Sequence, residues 1–501
     1  MKFSTALRRP RPYVLATIFA AGALLAGCTS SGPAPFASFG HPSAPGTASH
    51  KPNIVFILTD DLSVNLVKYL PHVQAMEKAG TTLSNYFVVD SLCCPSRSAI
   101  FTGKYPHDDG VFTNSGSDGG YAAYNKHGNE PDSFAVALQK AGYRTGFMGK
   151  YLNGYLPKDK PAPGWDEWDV AGNGYPEFHY KLNENGKTQK YGKDPKDYLT
   201  DVVSAKATSF IDSSASSGKP FMLELATFAP HKPSTPAPRD ANKFPGLTAP
   251  RTAAYNTLPT NAPPWLRAIP PLATTDEQGL DTLYRKRAQS VQAVDAMIGH
   301  VESELQAKGL ANNTYLVFSS DNGFHLGEYR LRPGKQTAFD TDIKVPLVIT
   351  GPGIPAGRQL SQLTSSIDLA PTFEGIAGAT VGTKVDGTSL LPLWRGSPPA
   401  DWQKAVLVEH HGGTMTPSDP DFQPKLGGDP PSYEAIRTAG ALYVQYVDGE
   451  REYYDLTHDP DELHNIVASI PPAQLASAQK ALTALQNCHN SVACQSAARL
   501  K

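Results

Sequence analysis

Apolar positions along the chain alternate between strand-like and helix-like patterns. Asn53 to Leu58 carries an unbroken apolar run that ends in Thr59-Asp60-Asp61. A run without polar alternation predicts a strand buried on both faces, hence a parallel sheet. Leu66, Leu70, Val73 and Met76 then recur at helical spacing, and the pattern stops at Gly80. Ser133 to Ala141 predicts a short amphipathic helix closed by Gly142, and Arg144 to Met148 a strand with Lys150 just past it. Tyr198 to Ser213 is helical in pattern, and Phe221 to Phe228 is a strand running into Ala229-Pro230-His231. Pro230 to Pro271 is proline-rich with little periodicity, and loops of that length usually serve as lids or linkers. Asp281 to Leu310 is the longest helical pattern. Thr314 to Ser319 is a further strand, ending in Ser320-Asp321-Asn322-Gly323, and Val345 to Ile349 and a helix from Leu369 follow.

Strand followed by helix, repeated, predicts a doubly wound α/β sheet flanked by helices over residues 52–395. Past Gly396 the pattern changes. Ala441 to Val447, Asp448-Gly449 and Arg451 to Leu456 read as a β-hairpin with an Asp-Gly turn. A last helix is expected at Gln474 to Gln486, so residues 396–501 form a small α+β subdomain. No internal repeat is present.

The amino terminus reads as an address. Lys2, Arg8, Arg9 and Arg11 precede an apolar run from Tyr13 to Ala26. About 14 residues is too short for an ordinary spanning helix and fits a signal-peptide core. Leu25-Ala26-Gly27-Cys28 resembles a bacterial lipoprotein cleavage box, which implies removal of residues 1–27 and lipidation of Cys28. Residues 28–51 are rich in Ser, Gly, Pro and Ala and read as a flexible tether. The expected location is the cell envelope of a bacterium, the exported protein held to a membrane by its lipid.

Composition narrows the class. The chain has 501 residues, enough for one large domain and a small one. Its 45 basic and 47 acidic side chains give a net charge of −2, which excludes the basic excess of a nucleic-acid binder. With 43 glycines and 44 prolines it suits a loop-rich α/β enzyme rather than a helical bundle. Five cysteines are too few for a disulfide scaffold, although Cys488 and Cys494 are close enough to pair in an exported protein.

Open α/β sheets bind ligands beyond the carboxyl ends of their strands. Asp60 and Asp61 follow the first strand, Lys150 another, His231 a third, and Asp321 and Asn322 a fourth. Three carboxylates and an amide are hard oxygen donors, suited to Ca²⁺ or Mg²⁺. Without a cation, carboxylates converging on one point would repel. Taken singly, Asp-Asp after a strand also reads as a turn or helix cap, and Asp-Asn-Gly as a turn.

The segment Cys93-Cys94-Pro95-Ser96-Arg97, continuing to Thr102-Gly103-Lys104, is decisive. It resembles the signature of the formylglycine-dependent sulfatases: Cys, any residue, Pro, Ser, Arg, four residues, then Thr-Gly. Only Cys93 has Pro two residues on and Arg four on, so Cys93 is the convertible cysteine and Cys94 the variable position. The remaining blocks follow in the family's order: Asp60-Asp61, the signature, Gly149-Lys150, Pro230-His231, Asp321-Asn322-Gly323, Lys335, and a closing Tyr454-Asp455-Leu456. The double cysteine, Tyr105-Pro106-His107, Tyr151-Leu152-Asn153, Phe324-His325 and Asp342-Ile343-Lys344-Val345-Pro346 are similar to N-acetylglucosamine-6-sulfatases and to extracellular heparan endosulfatases.

The resemblance implies an alkaline-phosphatase-like fold, a doubly wound mixed sheet with a small C-terminal subdomain. It implies that a formylglycine-generating enzyme oxidises Cys93 to Cα-formylglycine, and that Asp60, Asp61, Asp321, Asn322 and an oxygen of modified Cys93 bind Ca²⁺, with Mg²⁺ as the other candidate. Arg97 would steady the formylglycine hydrate, Lys150 and Lys335 would hold sulfate oxygens, and His231 would act as acid or base. Arylsulfatases usually carry a histidine where this chain has Leu152, with Asn153 beside it, so the leaving-group acid is not legible there. Asn153, His107 and His325 stand as candidate substrate contacts. The expected activity is hydrolysis of sulfate esters on sugars such as N-acetylglucosamine 6-sulfate units of glycosaminoglycans. An arylsulfatase, a phosphomonoester or phosphonate hydrolase of the same fold, and an inactive lipoprotein that only binds sulfated glycans are the competing readings.

Overall fold

The apolar run at residue 53 forms the middle of a ten-stranded sheet in a computed structural model that describes residues 51–380, 384–412 and 419–499. The expected signal peptide, Cys28 and most of the tether lie outside the described residues. Among those described, no helix is long and apolar enough to cross a membrane.

The strands are β1 (Asn53–Thr59), β2 (Thr81–Leu83), β3 (Tyr86–Phe87), β4 (Arg144–Lys150), β5 (Glu167–Ala171), β6 (Lys181–Glu184), β7 (Lys187–Lys190) and β8 (Phe221–Ala226). They continue as β9 (Thr314–Ser320), β10 (Leu347–Thr350), β11 (Arg358–Leu360), β12 (Thr364–Ser365), β13 (Ala405–His410), β14 (Tyr433–Thr438), β15 (Ala441–Tyr446) and β16 (Arg451–Asp455). The large sheet runs β11-β2-β10-β9-β1-β8-β4-β5-β6-β7. Its centre, β9-β1-β8-β4-β5, is parallel, whereas β10, β6 and β7 run antiparallel to their neighbours. The sheet is therefore mixed. Side chains of a strand alternate between faces, and β1 divides accordingly: Ile54, Phe56 and Leu58 enter one core, Val55 and Ile57 the other.

The helical pattern through Leu66 to Met76 is broken. A 3₁₀ turn (Val64–Tyr69) gives way to a helix at Pro71–Ala79, because proline restarts a helix at its first turn. The longest helix is Thr274–Ala307. The hairpin expected near residue 448 is present as β15–β16, within the antiparallel sheet β13-β14-β15-β16. Val406, Val408, Ala435 and Leu442 of this sheet join the main core, while Leu407, Ile436 and Tyr443 pack with Val89 and Ala99. Gln486 does not close the last helix of the chain: Pro472–Gln486 is followed by Ser491–Ala498. The disulfide Cys488–Cys494 joins the two, and Cys93 and Cys94 are free and buried.

Candidate active site

Parallel pairing aligns the ends of the central strands. Thr59 of β1 is the register partner of Ser320 of β9, so Asp60 and Asp321 emerge side by side. Successive residues of an extended chain would point opposite ways. Asp61 instead adopts φ +64°, a left-handed conformation uncommon outside glycine and often found at functional sites, and this re-aims its carboxylate. Gly149 has φ +109°, and a Cβ there would meet the Ala226 carbonyl oxygen at 1.8 Å. Only glycine lets β4 hug β8 and deliver Lys150 at its end.

The signature forms the helix Cys93–Thr102, buried at every residue. Its first residue meets the strand ends, so the positive end of the helix dipole faces the site. Cys93 Sγ lies 3.2 Å from Asp60 Oδ1, 4.0 Å from Asp61 Oδ1 and 2.8 Å from Lys335 Nζ. Arg97, one turn on, shares its face. Its Nε donates to Asp321 Oδ2 at 2.8 Å and its Nη1 to the Lys150 carbonyl at 2.8 Å. Lys150 Nζ donates to Asp60 Oδ2 at 2.6 Å, and Lys335 Nζ to Asp61 Oδ1 at 2.6 Å. Asn322 Nδ2 donates to Asp61 Oδ1 at 2.7 Å, and the backbone N–H groups of Asp61 and Asn322 both donate to Asp321 Oδ1.

A residue the sequence did not single out sits among them. Asp421 Oδ1 accepts from His231 Nε2 at 2.6 Å and Lys335 Nζ at 2.8 Å, and lies 3.6 Å from Cys93 Sγ. Its Oδ2 accepts from Asn153 Nδ2 at 2.6 Å. His231 Nδ1 pairs with the Lys232 carbonyl at 2.7 Å, an acceptor, so that nitrogen carries the proton.

The charges hold one another in place. Burial alone would raise the Asp60 carboxyl, but Lys150, His231 and Arg97 hold it well below the usual range. Asp321 goes the other way, up to about 6, because it is buried beside Asp60 and Arg97 does not fully compensate. Burial would lower His231, yet Asp61, Asp421 and Asp60 raise it above an ordinary histidine. Lys150 and Lys335 stay charged for the same reason. Burial and the carboxylates of Asp421 and Asp60 push the Cys93 thiol up, so it does not ionise.

Asp60, Asp61, Cys93 and His231 bring potential ligand atoms within 4.8 Å of one another, and Asn322 Oδ1 is buried without a hydrogen-bond partner. A hard divalent cation fits this set: it would use the orphan amide oxygen and relieve the repulsion that raises Asp321.

Two expected substrate contacts are not brought to the cluster. His107 spends Nδ1 on Glu409 Oε2 and Nε2 on the Cys488 carbonyl, each at 2.9 Å. His325 spends Nδ1 on Asp342 at 2.9 Å and Nε2 on the Gly427 carbonyl at 3.0 Å. Neither ring keeps a nitrogen for a sugar. Asn153 is brought in, and its Oδ1 has no protein partner among the described residues. Asp421 gave no signal, because Asp419-Pro420-Asp421 reads as a turn.

The chain matches known proteins over most of its length. The sulfatase family model matches residues 52–379, and a model described as N-sulphoglucosamine sulphohydrolase, C-terminal, matches 327–488. Human N-acetylglucosamine-6-sulfatase is 36% identical over 472 residues, covering 88% of this chain and 85% of the human one. An extracellular sulfatase SULF-1 homolog of Drosophila melanogaster is 36% identical over 73% of this chain and 34% of its own length. A solved structure in complex with its substrate D-glucosamine-2-N,6-O-disulfate superposes with a TM-score of 0.72 at 25% identity, covering 87% of this chain and 97% of that one. The fold, the strand-end constellation and these matches agree: the chain belongs to the sulfatase family, in the branch of the N-acetylglucosamine-6-sulfatases, and is a sulfuric ester hydrolase.

Proposed function

We propose that this enzyme removes 6-O-sulfate from N-acetylglucosamine units of sulfated sugars, using Cα-formylglycine made from Cys93 and a bound Ca²⁺. The observation that carries the reading is the buried contact of Cys93 with Asp60 on one side and Lys335 on the other. The names of the similar proteins supply the substrate class. A thiol held protonated is a poor nucleophile, which favours a converted residue at this position. The hydrated aldehyde supplies two hydroxyls on one carbon, one to attack sulfur and one to release sulfate as the carbonyl re-forms. Asp60, Asp61, Asp321 and Asn322 would hold the cation, which would supply positive charge to the bound sulfate.

The remaining work falls to this chain's own side chains. Lys150 and Lys335 hold sulfate oxygens as fixed positive charges. Arg97, tied to Asp321, keeps position 93 in place. His231, its Nδ1 fixed by the Lys232 carbonyl, presents Nε2–H to the ester oxygen and protonates the leaving alcohol. The free Oδ1 of Asn153 suits a sugar hydroxyl. We place the enzyme in the bacterial envelope, anchored through lipid on Cys28 after maturation by a formylglycine-generating enzyme. Incorporation of labelled fatty acid that a Cys28→Ala variant loses would support that location.

Mass spectrometry of the Cys93 peptide, paired with turnover of N-acetylglucosamine 6-sulfate, an aryl sulfate and an aryl phosphate, tests the function. Formylglycine with preferential sugar-sulfate turnover is expected. An unmodified thiol in active protein overturns the nucleophile, and faster phosphate turnover overturns the substrate class.

A further inference from the structure

The pair β6–β7 closes one edge of the central sheet, joined by Asn185-Gly186 with both residues at positive φ. This is the two-residue turn such pairs favour. Lys181 and Lys190 are register partners, so two like charges stand directly opposite each other, an arrangement that weakens a ladder. Asn183 and Thr188, also register partners, share that face. Asn183 Nδ2 donates to the Asp159 carbonyl at 2.7 Å and Thr188 Oγ1 to the Pro157 carbonyl at 3.0 Å. The face carrying Lys181 and Lys190 is therefore the one packed against the segment that bears Lys158 and Lys160.

All four lysines are exposed, and among the described residues none makes an ion pair. Of the nearby carboxylates, Asp159 Oδ2 accepts from the Leu156 N–H, and Glu184 binds Lys206 and the Tyr191 hydroxyl. Lys187 stands opposite Glu184, and the charges of Lys193 and Lys196 are offset by the adjoining Asp194 and Asp197, so the four lysines carry the face's charge. In a chain of net charge −2, such a face repels itself and attracts a polyanion. It also lies at the site's end of the sheet: Lys150 is the register partner of Ala171, and Ala171 that of Leu182, next to Lys181. The segment leaves β4 at Lys150 and passes Asn153 before reaching Lys158, a stretch that spans at most roughly 30 Å.

We propose that the β6–β7 face and the 155–160 segment form a docking surface for a sulfated polysaccharide, gripping sulfates of the polymer whose target sugar enters the site. The proposal rests on the sulfated-sugar reading above. Anionic lipid headgroups carry similar charge, but the place of Lys181 at the same sheet end as Lys150 favours the glycan.

The test uses formylglycine-bearing protein, with heparin as the polyanion. K158Q/K160Q/K181Q/K190Q should bind heparin about tenfold more weakly or worse at ~0.15 M salt, with a flatter salt dependence. Its kcat/KM on monomeric N-acetylglucosamine 6-sulfate should match wild type. Heparin affinity within about twofold of wild type overturns the proposal and leaves the lysines as guards of a sheet edge. An equal loss in K68Q/K78Q/K126Q/K140Q, which changes exposed lysines elsewhere, overturns it as unspecific attraction. Lysine-dependent binding to phosphatidylglycerol vesicles without heparin binding overturns it in favour of a membrane. If heparin binding follows the four lysines while wild type hydrolyses no sulfated sugar, the docking surface stands and the proposed activity falls.

Discussion

At the scale of single residues, position 93 shows why the thiol is a precursor rather than a reagent. Asp60, Asp61 and Asp421 crowd it with negative charge, and burial removes the water a thiolate would need. Cys93→Ala should lower sulfate-ester turnover by roughly 10⁴-fold or more while circular dichroism stays unchanged. Cys94→Ala, beside it, should keep turnover within about tenfold. A dead Cys94→Ala variant that still carries formylglycine would mean the second cysteine takes part.

Asp421 poses a different question at the same scale. Its carboxylate accepts from Lys335, His231 and Asn153, the donors assigned here to sulfate, the leaving oxygen and the sugar. An anion entering the site must compete for them. Charge-assisted hydrogen bonds of this kind are each worth about 1.5–3 kcal/mol. Asp421→Asn should therefore lower the Ki of inorganic sulfate as a competitive inhibitor by about tenfold. A higher Ki together with a fall in kcat/KM would identify Asp421 as a group that orients substrate instead. Nothing in the sequence marks it: its partners lie 268, 190 and 86 residues away, and a turn sequence gives no periodicity to follow.

At the scale of elements, one imidazole joins the apolar packing and the Asn490–Asp386 bond in clasping the carboxyl-terminal helices to the catalytic core. His107, beyond the signature helix, donates to Glu409 of β13 and to the carbonyl of Cys488. Burial opposes its charge, but Glu409 and the Cys488 carbonyl overcome it and raise the ring to about 9. A folded-state value above the unfolded 6.5 means the stabilisation is complete below pH 6.5 and disappears as pH rises through 9. The ring is largely buried, so the linkage is worth on the order of 2–3 kcal/mol. Wild type should lose melting temperature between pH 7 and 10 relative to His107→Gln, and the two curves should converge above pH 9. Parallel curves would remove the clasp.

The elements also show what a sequence can and cannot say. The buried runs at β1, β4, β8 and β9 were legible because only a strand covered on both faces carries them. The residues that follow these strands were legible as a site because open α/β sheets bind ligands beyond their strand ends and because the segment around Cys93 resembles the family's signature. The antiparallel direction of β10 was not, since an apolar run looks alike in either orientation. The β6–β7 hairpin offers Asn185-Gly186 but no apolar alternation, so the pattern predicts no strand there. His107 and His325 stand in the sequence as candidate substrate contacts because the acceptors that claim them, Glu409 and Cys488, Asp342 and Gly427, are reached only through tertiary packing.

At the scale of the whole molecule, the site ties segments from most of the chain to one point. Asp60 follows β1, Cys93 opens the signature helix, Asp321 and Asn322 follow β9, and Lys335 and Asp421 arrive on later loops. A cation held by these groups binds only the folded chain, because the unfolded chain scatters the ligands. Its contribution is RT ln(1 + [L]/Kd), about 2.7 kcal/mol at a hundredfold excess over Kd. For a chain of 501 residues that amounts to roughly 3 °C of melting temperature. Chelation should therefore lower melting temperature and activity together, and added Ca²⁺ should restore both. Asp321→Ala should start from the lower melting temperature and show no response to chelator or to Ca²⁺. Full activity and an unshifted melting curve in chelated wild type would take the cation out of the site and leave Arg97, Lys150, Lys335 and His231 to balance the carboxylates.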